Sequence, residues 1–217
     1  MADLSVSEVS ICNMALSKVG ASSKIESLDE ASAEAGECNL WYTFTRRQAL
    51  AAMDWSFART RLTLATHADD PPDGVWGYRY QYPSDCVLGG FRKIESPVSG
   101  SGVWSPEEKA LVSMADAIPY TVELNPDETT HSILTNLDNA VGVYTKDLVT
   151  TTLFPPAFVI AFATLLGANI SWTLTKKTKL EDKLVTRAIG LIQSAGAVDG
   201  NEQVSTPPRM ADWHRAR

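Results

Sequence analysis

His67, His131 and His214 are the residues best suited to hold a metal or move a proton, and their spacing provides for neither. They fall in a strand end, a loop and the C-terminal tail, with no metal-ligand interval among them. Paired carboxylates for general acid and base work can be drawn from Asp69, Asp70 and Asp73, or from Asp127 and Glu128. Both groups lie beside prolines in polar loops, so they read as solvated turns. A nucleophile elbow, a phosphate-cradling glycine loop and a dinucleotide fingerprint are absent, and Gly100-Ser101-Gly102 reads as linker. No catalytic, cofactor-binding or metal residue is assigned, and no enzyme is expected.

Short cationic groups are the remaining chemical candidates: Arg46-Arg47, Arg59 with Arg61, and Lys176, Lys177 and Lys179. None interleaves with aromatics as nucleic-acid recognition requires, so a solvated face or an inter-subunit salt bridge is the preferred reading. Tyr78, Tyr80 and Tyr82 alternate with polar residues and read as one packed strand face. Cys12, Cys38 and Cys86 are odd in number, widely spaced and without a C-x-x-C, which argues for reduced thiols, Cys12 and Cys38 being small core residues.

The element that must position the rest is the stretch from Leu153 to Leu174, with no charge between Asp147 and Lys176. Its apolar residues leave no consistently polar face at helical spacing, so the helix is expected to be buried nearly all round. Pro155 and Pro156 suit its first turn, and Thr151 or Thr152 is the expected cap. About 20 uncharged residues is also the length that crosses a bilayer. Thr164, Gly167, Asn169, Ser171 and Thr173 dilute the C-terminal half, and a lone span leaves the Asn169 amide without a partner in hydrocarbon. A core helix is therefore expected, and no membrane partner.

Before it, Ser5-x-x-Glu8 has the form of a capping box that opens a helix ended by Gly20. A second helix is expected from Ala31 to Met53, with Ala35, Cys38, Trp41, Tyr42, Thr45, Ala49 and Met53 on its inner stripe. From Trp55 to Tyr144 the texture turns to strands. Arg59 to Thr66 and Tyr78 to Tyr82 are expected to pair across the Pro71-Pro72-Asp73-Gly74 turn, with further strands at Val87 to Ile94, Ala110 to Met114 and Pro119 to Leu124. Ile133 to Asp147 is expected to return to helix, in part extended. A last amphipathic helix should run from Lys177 to Ala195 on a stripe of Leu180, Leu184, Ala188, Leu191 and Ile192. The fold class is thus α+β: an antiparallel helical bundle (1–54 and 145–195), an inserted β-rich domain (55–144) and an extended C-terminal tail (196–217).

Composition bounds function. A chain of 217 residues with 44% hydrophobic content buries a substantial core. Met1 to Ser10 lacks a basic start and an apolar run, so residence in a cytoplasm is expected. The net charge of −7 is unfavourable for gripping phosphates, though it suits a wall past which a duplex moves. Ordering the tail alone would cost on the order of 20 to 40 kcal/mol of backbone entropy, beyond what one Trp and one Met offset. The tail is therefore expected to dock on another chain, with Arg209, Met210, Trp213, Arg215 and Arg217 as the anchor.

Four stretches carry a resemblance. The first is Cys12-Asn13-Met14-Ala15-Leu16-Ser17-Lys18-Val19-Gly20-Ala21 followed by Ile25-Glu26-Ser27-Leu28-Asp29-Glu30. The second is Arg47 and Leu50, then Trp55-Ser56-Phe57-Ala58-Arg59 with Arg61 and Leu64-Ala65. The third is Trp76-Gly77-Tyr78 with Tyr80-Gln81-Tyr82-Pro83-Ser84-Asp85-Cys86. The last is Tyr144-Thr145-Lys146-Asp147 with Phe154-Pro155-Pro156-Ala157-Phe158. In order and spacing these resemble the head-to-tail adaptor proteins of tailed bacteriophages, the family of tail tubular protein A, also called the gatekeeper ring.

The resemblance covers residues 12 to 175 and leaves out the insert from Ser96 to Asn125 and the tail. It implies a structural virion protein of the phage tail and neck, assembled in the host cytoplasm as a homo-oligomeric ring, commonly of twelve copies. Such a ring sits between the portal protein and the next tail component, a nozzle or tail tube, and double-stranded DNA passes through its lumen during ejection without specific binding. It implies no enzymatic residue and no cofactor. A peptidoglycan-active hydrolase carried in the virion is the alternative from another class, and a membrane-anchored protein a third.

Overall fold

The computed structural model describes residues 6–72, 74–96 and 118–201. The fold is α+β, with four helices and two small antiparallel sheets among the described residues. The chain divides into two units, the described part of the first being 6–60, 85–91 and 144–201, and that of the second 61–72, 74–84, 92–96 and 118–143.

The first unit holds α1 (Glu8–Val19), α2 (Ala33–Ala51), α3 (Pro156–Thr175) and α4 (Thr178–Asn201). Ser7 caps α1, its hydroxyl accepting from Ser10 N–H at 3.1 Å. Ser5 of the expected capping box lies outside the described residues. Gly20 ends the helix at φ 79°, a left-handed conformation that glycine adopts without a Cβ clash. Ser32 caps α2 by accepting from Ala35 N–H at 3.2 Å, which holds the preceding residue out of the helix and starts it later than expected.

The start of α3 corrects one expectation. Pro155 is its cap and makes no side-chain hydrogen bond, while Thr151 and Thr152 lie in a separate 3-10 turn, Thr151–Leu153. Twelve of the twenty residues of α3 are buried, but Ile160 and Trp172 are 47% and 46% exposed, so its burial is not all round. By length and composition α3 could cross a membrane, yet 67% of its most apolar window is covered by protein. Its polar groups are matched internally. Asn169 Nδ2 donates to Thr45 Oγ1 at 2.8 Å, and the Thr164 and Ser171 hydroxyls donate to the carbonyls of Ile160 and Ala168. α1, α2 and α4 all pack on α3, so it is the spine of this unit. Phe158, Phe162, Leu166 and Ile170 are fully buried, each contributing about 1.5–3 kcal/mol.

α4 continues past the expected end at Ala195 to Asn201. Packing holds the extra turn, because Asp199 is buried and accepts both the backbone N–H and the hydroxyl of Ser56 at 2.7 Å. The helix therefore reaches into the segment expected to be tail.

The second unit contains the sheet of β2 (Tyr78–Gln81), β5 (His131–Thr135) and β4 (Tyr120–Leu124), with β5 in the middle. Its register sets Tyr80 and Val122 on either side of Ile133. The other sheet has the order β1 (Arg59–Thr63), β6 (Val141–Lys146), β3 (Cys86–Glu95), and the division between units falls inside these strands. Two expectations change here. The first two strands meet only at the isolated bridge Thr66 to Tyr80, while their ladders are with β6 and β5. Ile133 to Asp147 forms β5 and β6 with a turn between them, not a helix. Both strands are buried at consecutive positions, 132–135 and 142–145, so no two-residue alternation marks them as strands. Ala110 to Met114 lies outside the described residues.

Candidate assembly surfaces

The groups that could do chemistry do not converge. His67 Nδ1 accepts from Asp69 N–H at 3.1 Å, and the Asp69 carboxylate is 3.8 Å from Arg79, a turn fixed by its own side chains. Asp127 accepts from the hydroxyl and N–H of Thr129, and these bonds hold its carboxyl below the usual range. Asp73 and His214 lie outside the described residues. Among the described residues no group of three or more His, Cys, Asp or Glu is placed to hold a metal ion. Cys12 and Cys38 are free and fully buried, and the thiol of Cys12 is pushed up by its hydrogen bond with Cys38 and by burial. Such a thiol is not a nucleophile.

The cationic pairs are used in ion pairs. Arg46 and Arg47 both reach Asp147 at 2.8 Å, Arg59 pairs with Asp54 at 2.7 Å and Arg61 with Glu95 at 3.0 Å. Tyr80 is buried and donates to Leu137 O at 2.9 Å, so it packs instead of presenting a face to bases.

Contacts in the first unit link the stretches singled out in the sequence. Asn13 holds both backbone groups of Ile25. Trp55 lies 5.1 Å from Phe158, and Phe57 lies 5.0 Å from Phe158 and 6.2 Å from Phe154, in tilted and edge-on geometries. Tyr144 donates its hydroxyl to Asp85 at 2.7 Å, and Lys146 pairs with the same carboxylate at 3.0 Å. The contacts of Trp55, Phe57 and Tyr144 join segments distant in sequence, while Asn13 and Ile25 belong to one stretch.

The exposed faces of this unit are segregated by charge. Lys176, Lys177, Lys179 and Lys183 line an open hollow of ≈ 480 Å³ at the start of α4. Lys179, Lys183 and Arg187 recur at four-residue intervals, so their side chains stand one above the next along one exposed face. Like charges so placed destabilise a helix by about 0.2–0.5 kcal/mol per pair. Lys18 of α1 is near Arg187, and partial burial followed by that guanidinium lowers its pKa. Among the described residues none of these cations has a carboxylate within 4 Å. The opposite charge gathers in the loop after α1 and the first turns of α2, where Glu26, Asp29, Glu30, Glu34 and Glu37 stand in a stretch whose one cation is Lys24. Exposed apolar residues stand on the same two helices, Leu40 and Phe44 on α2 and, across α4 from the cations, Val185 and Ile189.

Arg209, Met210, Trp213, Arg215 and Arg217, the expected docking anchor, lie outside the described residues. No protein-family model matches the chain, and no curated protein matches it. The sequence signal for the continuation of the ladder through Lys183 and Arg187 is the four-residue recurrence of cations beside the buried stripe of α4.

Proposed function

We propose that this chain is a structural head-to-tail adaptor of a tailed bacteriophage, a ring subunit seated between the portal and the next tail component, with double-stranded DNA passing through its lumen. One observation carries this reading. Of the four stretches that resemble the tail tubular protein A family, the second and fourth hold each other through Arg47 and Asp147 and through Trp55 and Phe57 with Phe154 and Phe158, and the third and fourth through Asp85 with Tyr144 and Lys146, while the first is braced within itself by Asn13 and Ile25. The contacts among the second, third and fourth stretches support the resemblance, and the first stretch shares the buried core of Trp55 and Phe158 through Cys12, Ala15 and Leu16. The net charge of −7 supports a lumen that lets a duplex slide, since cation–phosphate contacts would retard it. Exposed apolar residues on α2 and α4 support lateral packing of copies.

In this reading the segment around Arg209, Met210, Trp213, Arg215 and Arg217 anchors the ring to the portal. Electron microscopy of the purified chain mixed with portal protein tests the function. Coaxially stacked rings are expected, and separate particles without rings would defeat it. Deletion of 202–217, which leaves α4 whole, is expected to abolish portal capture in a pull-down.

A further inference from the structure

The lysine and arginine ladder of α4 is left without a counter-charge, and so are the acids of the α1–α2 loop. Between Lys176 and Arg187 five cations face only Glu181 and Asp182, and between Lys24 and Glu37 five acids face one lysine. Among the described residues no ion pair within 4 Å joins the two sets. Stability of a lone copy does not favour stacking like charges along one face, so the arrangement calls for a polyanion outside the chain.

Building on the ring reading above, we propose that copies of this chain join head to tail, the acids at the start of α2 in one copy seated against Lys179, Lys183 and Arg187 of α4 in the next. A second copy is favoured over nucleic acid because the chain as a whole is acidic and would repel a duplex. On the acidic side Glu26 and Asp29 are exposed in the loop and Glu34 half-buried in the first turn of α2, whereas the carboxylate of Glu30 accepts from Glu26 N–H, Ser27 N–H and the Ser32 hydroxyl and one oxygen of Glu37 is buried. Leu40 and Phe44, exposed on α2 beyond the acids, add apolar area at the edge of this contact, while Val185 and Ile189 lie across α4 from the cations. Two different patches meeting make a heterologous contact, which closes into a ring when the rotation allows.

Charge reversal in the full chain tests this. Asp29→Lys with Glu34→Lys, and separately Lys179→Glu with Lys183→Glu, are each expected to weaken self-association about tenfold or more, read by sedimentation velocity and electron microscopy. The chain carrying all four substitutions, and a mixture of the two defective chains, are expected to assemble again. Rescue in the mixture separates a lost contact from a lost fold, and Lys179→Arg with Lys183→Arg should assemble as the parent does. If the parent forms rings and both reversals leave them intact, the interface is wrong and the ring reading stands. If the reversals change only retention on duplex DNA, the ladder is a phosphate site and the proposal is overturned. If the parent forms no oligomer with or without portal, the ring reading falls and this contact with it.

Discussion

Asn13 holds Ile25 by both of its backbone groups, Nδ2 donating to the carbonyl and Oδ1 accepting from the N–H, each at 2.9 Å. The side chain acts as a surrogate strand neighbour that folds the chain after Gly20 back onto α1 and puts Ile25 into the core. Asn13→Ala leaves two covered backbone groups without partners. The expected cost is about 1–3 kcal/mol, seen in calorimetry as a Tm lower by roughly 3 to 10 °C. Asn13→Asp should not rescue it, because a carboxylate oxygen would then face the Ile25 carbonyl. A Tm unchanged in the alanine variant would show that the pair contributes nothing.

Asp147 serves two arginines in different surroundings. The side chain of Arg46 is 5% exposed and that of Arg47 57%, with Asp147 itself at 18%. Asp147→Asn strands a buried guanidinium whose Nε already lacks a partner among the described residues, and should cost about 3–5 kcal/mol. Arg47→Ala removes an exposed member and should cost no more than about 1 kcal/mol. Urea unfolding of both variants gives the comparison, and equal losses would contradict the burial difference.

The helices were legible in the sequence because their signals are local: Gly20 at one end, the two prolines at the head of α3, and apolar residues at helical spacing. What failed depends on tertiary partners. Ile133 to Lys146 is two strands, each buried at four consecutive positions and so without two-residue alternation, with an exposed turn at Asn136, Asp138 and Asn139 between them. α4 outran its expected end because Asp199 is held by Ser56, a residue 143 positions earlier. The charged faces were half legible. Lys176, Lys177 and Lys179 stood out as neighbours in sequence, while Lys183 and Arg187 join them only once the helix is formed. The expected anchor in the tail was drawn from composition, and the described residues stop short of it.

Asp85 gives the acid stability a defined source. Burial alone would raise its pKa, but the Tyr144 hydroxyl and the Lys146 ammonium outweigh burial and hold the carboxyl below its ordinary value. A carboxyl depressed in the folded state stabilises above its unfolded pKa, about 3.9, and that contribution goes as pH falls through the folded value. The parent should therefore lose stability on acidification below about pH 4 in part through this group. Asp85→Asn should be less stable at pH 7 and show a shallower decline below pH 4, read by thermal melts at a series of pH values. Identical acid profiles for parent and variant would remove Asp85 as a source.

Glycine on two helices offers a contrast of sign. Replacing a helical glycine by alanine ordinarily adds about 0.5–1 kcal/mol, because the unfolded chain loses freedom it would otherwise regain. Gly190 on α4 has open space where a Cβ would stand, so Gly190→Ala should move the urea midpoint up. At Gly167 on α3 the same Cβ would lie 3.2 Å from the carbonyl oxygen of Ala15 and 3.7 Å from side-chain atoms of Lys18 and Val19. A backbone oxygen does not swing aside, so α1 must retreat along the line where it packs on α3, at an overpacking cost of about 1–3 kcal/mol that exceeds the entropic gain. Gly167→Ala should thus move the midpoint down, with the slope of the transition unchanged in both variants. A stabilised Gly167→Ala chain would mean that α1 does not approach α3 as closely as this contact requires, since only close approach reverses the sign.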